Sequence, residues 1–189
     1  TAIQLTFPKI EAPNWIAQKI QPDYNHTIVI LDDDPSIHGA WDTRFKGYLK
    51  LYPTLSVRHF THARRALDFF DSLGQEARKN VLLLSDYELL RQDRNGLQVI
   101  ESSGIKNAIL VTSYYARPEV RNKAAQLGIK LLPKQMASVV PIDINHHLKK
   151  NESNILKEVD AVFIDDEQCL LDSYKILAFH KLVDTYSEP

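Results

Sequence analysis

The stretch Thr27–Asp34, TIVILDDD, decides how this chain folds. Its five β-branched or aliphatic residues are typical of a strand that is buried on both faces, and three carboxylates follow where the strand ends. A second run of this kind, VLLLS at 81–85, leads into Asp86. Strands buried on both faces belong to parallel sheets, whose carboxyl ends lie along one edge. We therefore expect the acids after both strands to meet at that edge.

Strand and helix patterns alternate on both sides of these runs. Apolar residues recur at three- and four-residue steps between the strands, and the first such helix is predicted over 35–52. This alternation predicts an α/β fold with three layers, in which helices cover both faces of a doubly wound, five-stranded parallel sheet. The helix after the last strand is expected to be short or missing, because MASVV at 136–140 runs into Pro141. The predicted strands are 27–31, 55–59, 81–85, 108–112 and 129–132.

Composition narrows the class of function. The chain has 189 residues, a net charge of -1 and 44% hydrophobic residues, which is ordinary for a globular protein. A charge so close to zero argues against electrostatic binding to nucleic acid or to a membrane surface. The single cysteine, Cys169, excludes an internal disulfide and fits a reducing compartment, so we expect a cytoplasmic location.

The remaining segments predict several modules. Residues 10–25 and 142–157 are interpreted as linkers on either side of a main domain at 26–141. The residues after 158 repeat the start of that domain, because an apolar strand again leads into paired carboxylates, Asp165-Asp166, and then into a helical pattern near 167–183. This copy breaks off at residue 189, so we interpret the chain as a piece of a longer protein. We expect the apolar stripe of its helix to cover the groove left by the missing fifth helix, or to pair with another chain.

The residues at the predicted strand ends suit phosphoryl transfer. Clustered carboxylates call for a cation, and oxygen ligands suit Mg²⁺, which also binds phosphate. Lys134, after the fifth strand, supplies a positive charge, and Thr112, at the end of the fourth, supplies a hydroxyl donor. Together these groups would stabilise a transferring phosphoryl group, with one carboxylate as the nucleophile.

Over about residues 26–135 these motifs resemble the receiver (response-regulator) domain of two-component signalling. The resemblance implies the flavodoxin-like strand order 2-1-3-4-5. It also implies that Asp86 accepts a phosphoryl group from the phosphohistidine of a histidine kinase or a phosphotransfer domain, and that Thr112 and Lys134 assist. The implied Mg²⁺ ligands are the side chains of Asp32, Asp33 and Asp86 and the backbone carbonyl of Glu88.

The flanks extend this resemblance. Residues 1–9 resemble the last strand of a histidine-kinase ATP-binding domain, and 158–189 resemble the start of a second receiver. The implied parent is a hybrid sensor histidine kinase, whereas this piece would be phosphorylated without ATPase activity of its own. The sequence leaves open whether the chain forms a homodimer. Two departures from the family pattern are the absence of its usual proline from the loop at 87–96 and the presence of Leu131 where an aromatic residue is usual.

Two rival functions remain. Haloacid-dehalogenase-like phosphatases would use Asp32 as nucleophile and Asp34 as acid, with Thr112, Lys134 and Asp165-Asp166 in support. That family inserts a hairpin directly after its first motif, whereas a continuous helix is predicted here. The second rival is a receiver-like docking module that is never phosphorylated. The seven histidines are scattered without convincing metal spacing, so we expect no metal or phosphohistidine role for them.

Overall fold

The computed structural model describes residues 12–145 in full and the backbone of two short strands at 161–164 and 183–186. Its main sheet is five-stranded and parallel, in the order 2-1-3-4-5 with the strands numbered along the chain. The predicted doubly wound fold and its strand order are thereby confirmed. The five strands are β1 Thr27–Leu31, β2 Ser56–Phe60, β3 Val81–Asp86, β4 Ala108–Thr112 and β5 Lys130–Pro133.

Helices follow the strands as the apolar periodicity predicts, with one addition. The short helix α3, Gln75–Lys79, is a single turn that the apolar periodicity does not predict. The prediction of a short or missing fifth helix is confirmed within residues 12–145, where only the 3-10 turn Lys134–Met136 follows β5. The helices are α1 Pro35–Leu51, α2 Ala63–Ser72, α3 Gln75–Lys79, α4 Gly96–Ser103 and α5 Pro118–Gln126.

Local capping explains where the two helices nearest to the site begin. The Asp34 side chain accepts a hydrogen bond of 2.9 Å from the Ser36 N–H, and Pro35 occupies the first turn of α1. At α4, Asn95 and Gln98 form a capping box, in which each side chain accepts from the other residue's backbone N–H. Both helices therefore start directly after loops that leave the carboxyl edge of the sheet.

The two faces of the sheet are covered differently. One face packs against α2, α4 and α5, with Phe70 and Val99 fully buried between the layers. The other face packs against α1, through Trp41 and Phe45, and against two irregular segments at 15–24 and 137–145. We call these the N-terminal strap and the C-terminal strap.

The straps fill the place of the missing fifth helix. Residues 10–25 were interpreted as a linker, yet Ile20 is fully buried, and its N–H donates to the Pro141 carbonyl at 2.8 Å. The Leu131 N–H donates to the Trp15 carbonyl at 2.9 Å, so the N-terminal strap also pairs with the outer edge of β5. Packed structure thus extends beyond both ends of the predicted domain at 26–141. The residues that these backbone pairings bury show no recognisable sequence pattern, so they were interpreted as linkers.

Two shorter strands lie in the repeated segment. β6 Ala161–Ile164 and β7 Val183–Tyr186 pair in parallel, as β1 and β2 do. Residues 1–9 and all of the helix predicted near 167–183 except Val183, which begins β7, lie outside the described residues. Within 12–145, the groove next to α1 is covered by the two straps. Among the residues that the structure describes, no helix is both long and apolar enough to cross a membrane.

Candidate functional site

The carboxyl edge of the sheet brings the predicted acids together. Leu31 pairs with Ser85 across β1 and β3, so Asp32 comes level with Asp86. Asp32, Asp33 and Asp86 each place one carboxylate oxygen within 4.8 Å of the others. Asp32 and Asp86 are almost fully buried, and Asp33 is half-buried. The cluster is therefore a polar site set into the edge of the fold.

Lys134 reaches into this cluster from the turn that follows β5. Its Nζ donates to Asp86 Oδ2 at 2.7 Å and lies 3.1 Å from Asp32 Oδ2. The turn after it is held in place by Arg44 of α1, whose guanidinium donates to the carbonyls of Ala137 and Val140. A side chain of α1 thus anchors the C-terminal strap just beyond Lys134.

Burial and charge set the protonation of this pair. Burial, with the charge of Asp32 added, raises the pKa of Asp86 from 3.8 to about 6, although the hydrogen bond from Lys134 opposes the rise. For Lys134, burial acts to lower the pKa, but its hydrogen bonds to and the charges of Asp86 and Asp32 outweigh this and raise it. Lys134 therefore stays positively charged at neutral pH, and most of the Asp86 population is ionised beside it.

Thr112 lies at the same edge, at the end of β4. Asp86 pairs with Val111, so Thr112 is the next residue along the neighbouring strand. Its side chain is fully buried, and Oγ1 accepts a hydrogen bond of 2.9 Å from the Tyr114 N–H. Since a hydroxyl both accepts and donates, Thr112 can still donate its own hydrogen to an oxygen bound at Asp86.

The loop after β3 is drawn tightly over the site. A Cβ atom at Gly96 would lie 1.8 Å from the Asp86 carbonyl oxygen, so only glycine allows α4 to begin there. The Tyr87 N–H donates to Asp86 Oδ1 at 2.7 Å, and the Leu90 N–H donates to Asp33 Oδ2 at 3.3 Å. These contacts fix both carboxylates through the backbone of the loop.

Glu88 lies in the same loop and is exposed. Its side chain bonds to the Tyr114 hydroxyl, and this bond is the main cause that raises the pKa of Tyr114. The metal-ligand role of the Glu88 backbone carbonyl stays a prediction.

Asp34, the third acid of the opening run, turns away from this chemistry. Its exposed carboxylate caps α1, and the hydrogen bonds from Ser36 hold its pKa below the usual range. The helix that it caps runs without interruption from Pro35 to Leu51. A hairpin insertion after the first motif does not occur in this stretch.

Two features of the site were missed from the sequence. One is the close approach of Gly96 to the Asp86 backbone, because a glycine in a sequence does not indicate which atoms pack against it. The other is a group of side chains, His38, His59 and Asp42, that connects to the Asp32 backbone. The two histidines are 21 positions apart, so only the pairing of α1 with β2 brings them together.

Comparisons with solved structures give similarities over part of the chain. The similar structures named here are receiver domains. The chemotaxis protein CheY4 of Vibrio cholerae is 13% identical, with a TM-score of 0.43, over 57% of this chain and 84% of its own. The receiver domain of the histidine kinase CKI1 of Arabidopsis thaliana, solved with Mg²⁺ and BeF₃⁻, is 17% identical, with a TM-score of 0.42, over 61% and 85%.

A third similar structure is the N-terminal domain of a response-regulator receiver protein of Methanoculleus marisnigri. It is 16% identical, with a TM-score of 0.43, over 57% of this chain and 82% of its own. No protein-family model and no curated protein sequence matches the chain. What the site does is therefore inferred from its own side chains.

Proposed function

We propose that this domain is a phosphoacceptor receiver that takes a phosphoryl group onto Asp86. The observation that supports this most strongly is the contact of 2.7 Å between the buried Asp86 carboxylate and Lys134, beside two further carboxylates. A nucleophile, a fixed positive charge and a buried hydroxyl at one sheet edge are the groups that phosphoryl transfer to a carboxylate requires.

The proposed step is a direct displacement at phosphorus. An oxygen of Asp86 forms a bond to phosphorus while the bond from phosphorus to the phosphohistidine ring nitrogen breaks. The electron pair of the broken bond stays on that nitrogen, so the products are an acyl phosphate on Asp86 and a free histidine. Asp86 must be ionised to attack, and at neutral pH its pKa of about 6 allows this.

Lys134 and Thr112 would act on the charge of the transferring group. Lys134 is already 2.7 Å from Asp86 Oδ2, so its ammonium group can follow a phosphoryl oxygen without moving far. Thr112 would donate its hydroxyl hydrogen to a second oxygen from the end of β4. Groups placed in advance in a buried site stabilise such charge more strongly than groups in water do.

The three acids also fit a resident Mg²⁺. Their oxygens lie within 4.8 Å of one another, and oxygen is the ligand type that this ion prefers. Asp32, Asp33, Asp86 and the backbone carbonyl of Glu88 are the proposed ligands. When bound, the ion would supply positive charge to the phosphoryl oxygens and offset the repulsion among the carboxylates.

The phosphatase rival is disfavoured by Asp34. In that mechanism Asp34 would have to donate a proton near the nucleophile, but its side chain caps α1 and its pKa is lowered. The central contact of Asp86 with Lys134 would also have no use there. The docking-module rival is disfavoured because the acids, the lysine and the hydroxyl are all in place.

The same proposal extends to partners and context. The donor would be the phosphohistidine of a histidine kinase or a phosphotransfer domain. The parent chain would be a hybrid sensor kinase. This domain would lie in the cytoplasm, whether or not the parent kinase is attached to the membrane. A homodimer stays an open prediction. The proposal involves neither nucleic acid nor direct membrane contact.

Phosphorylation by a small acyl phosphate tests the proposal. The chain is incubated with Mg²⁺ and the donor, and its intact mass is measured over time. We expect the wild type to gain one phosphoryl group and Asp86→Asn to gain none, whereas Asp34→Asn, which alters the neighbouring helix cap, should still gain one. An equal gain by wild type and Asp86→Asn, or no gain by the wild type, would contradict the proposal.

A further inference from the structure

Three side chains form a hydrogen-bonded path from the protein surface to the backbone of the acidic run. His38 Nε2 lies 2.8 Å from the Asp32 carbonyl oxygen, and this contact is buried. The Nδ1 atoms of His38 and His59 are 2.7 Å apart, and His59 Nε2 lies 2.6 Å from Asp42 Oδ1. The two imidazole rings meet edge to face, with centroids 4.7 Å apart. We call this set the histidine path.

The two ends of the path define its hydrogens. A backbone carbonyl only accepts, so His38 Nε2 must carry a hydrogen and donate it to Asp32. The Asp42 carboxylate also accepts, so His59 Nε2 donates to it in the same way. These contacts fix the orientation of both rings.

The Asp32 carbonyl belongs to the peptide group that joins Asp32 to Asp33. A peptide group is planar, so a hydrogen bond that fixes the Asp32 carbonyl oxygen also fixes the positions of the Asp33 nitrogen and the Asp33 Cα atom. The other end of Asp32 is fixed by its N–H, which donates to the Phe60 carbonyl at 3.1 Å. His38 thus completes the anchoring of the backbone that presents two of the three acids.

Asp33 depends on this anchoring more than its neighbours do. The Asp32 carboxylate is held by the Asp34 N–H at 3.0 Å and by Lys134 at 3.1 Å, and Asp86 is held by Lys134 and by Tyr87. Asp33 is half-buried, and its carboxylate accepts one long bond of 3.3 Å, from the Leu90 N–H. The placement of its carboxylate therefore follows mainly from its backbone.

We propose that His38, held by His59 and Asp42, is a positioning residue that aligns Asp33 for Mg²⁺ binding. This inference rests on the proposed function and adds a part of the molecule that lies outside the phosphoryl site. Outer groups that orient metal ligands often contribute roughly tenfold or more to metal affinity. The hydrogen bond from His38 is made to the backbone next to a metal ligand and not to the ligand's side chain. It restricts the movement of the ligand in the same way.

The exposed end of the path makes the proposal testable without disturbing the core. The Asp42 side chain is 58% exposed, so Asp42→Ala removes little packing. It does remove a negative charge, which would weaken cation binding by itself. Asp42→Asn removes the same charge but keeps an oxygen that can accept from His59. The difference between these two variants isolates the hydrogen bond from the charge.

The experiment is a calorimetric titration of the full chain with Mg²⁺. We expect Asp42→Ala to raise the Mg²⁺ dissociation constant by about threefold to tenfold over Asp42→Asn. His38→Leu should show a larger rise, and His38→Gln, whose amide can donate to the Asp32 carbonyl, should restore part of it. Asp68→Ala, which removes an exposed acid from α2, should bind as Asp42→Asn does. The unfolding temperature without Mg²⁺ should be the same for both Asp42 variants.

Equal dissociation constants for Asp42→Ala and Asp42→Asn, together with no recovery in His38→Gln, would overturn the proposal. So would a rise in Asp42→Ala that is matched by a lower unfolding temperature in the absence of Mg²⁺. A wild type that does not bind Mg²⁺ at all would instead contradict the proposed function. The two failures are therefore distinguishable in one set of titrations.

Discussion

The two faces of the sheet solve the same packing problem in different ways. One is covered by three amphipathic helices, α2, α4 and α5. The other is covered by one helix, α1, and by the two straps, which pair with each other through backbone hydrogen bonds. The difference shows that a buried face needs apolar side chains in register, not a particular secondary structure.

Each of the two faces also contributes different residues that position the site. The helical face supplies the loop that Gly96 draws against the Asp86 carbonyl. The strapped face supplies His38, which holds the Asp32 backbone, and Arg44, which holds the turn after Lys134. Three predictions test this division, from the largest expected effect to the smallest.

The first prediction concerns the N-terminal strap. Ile20 is fully buried against the strapped face, so Ile20→Ala should leave a cavity and lower the free energy of unfolding by about 2–5 kcal/mol. Chemical denaturation of both proteins measures this. A change below about 0.5 kcal/mol, as for an exposed surface position, would mean that residues 10–25 behave as a linker after all.

The second prediction concerns the helical face at the site. Gly96→Ala places a Cβ atom against the Asp86 backbone, so we expect a loss of about 1–3 kcal/mol in stability and weaker Mg²⁺ binding. Gly47→Ala is the matched control, because it lies within α1 with nothing within 4 Å of the new Cβ atom. That variant should gain about 0.5–1 kcal/mol. Equal effects of the two substitutions would contradict the close approach.

The third prediction concerns the edge where the two faces meet. The folded chain raises the pKa of Asp86 from 3.8 to about 6, so ionised Asp86 costs stability. This cost is absent below pH 4, grows as the pH rises through 6 and is complete above it. Without Mg²⁺, Asp86→Asn should therefore be more stable than the wild type by up to about 3 kcal/mol at pH 7 and equal to it at pH 4. Thermal unfolding at both pH values measures this, and a pH-independent difference would rule out a stability cost from ionising the buried Asp86 carboxyl group.

Much of this fold could be predicted from its apolar runs. β1 and β4 begin and end as predicted, and β2, β3 and β5 differ by a single residue at one or both ends. Their aliphatic residues have to be buried on both sides, and that requirement leaves few alternatives. The meeting of Asp32, Asp33 and Asp86 followed from the same parallel geometry.

What could not be predicted depends on contacts between distant positions. Pro13 and Pro22 made residues 10–25 read as a linker, because the backbone partners of the N-terminal strap at 131, 141 and 145 leave no local pattern. His38 and His59 were set aside for a similar reason, since neither histidine has a ligand spacing in the sequence. Their roles emerge only after α1 lies against β2.

The central claim is that Asp86, and not an acid of the opening run, carries the phosphoryl group. Borohydride reduces an aspartyl phosphate to homoserine, so peptide mapping after phosphorylation and reduction locates the reacting residue. We predict homoserine at position 86 in the wild type and at no other position. Homoserine at position 32 instead would contradict the claim and favour a phosphatase in which Asp32 is the nucleophile.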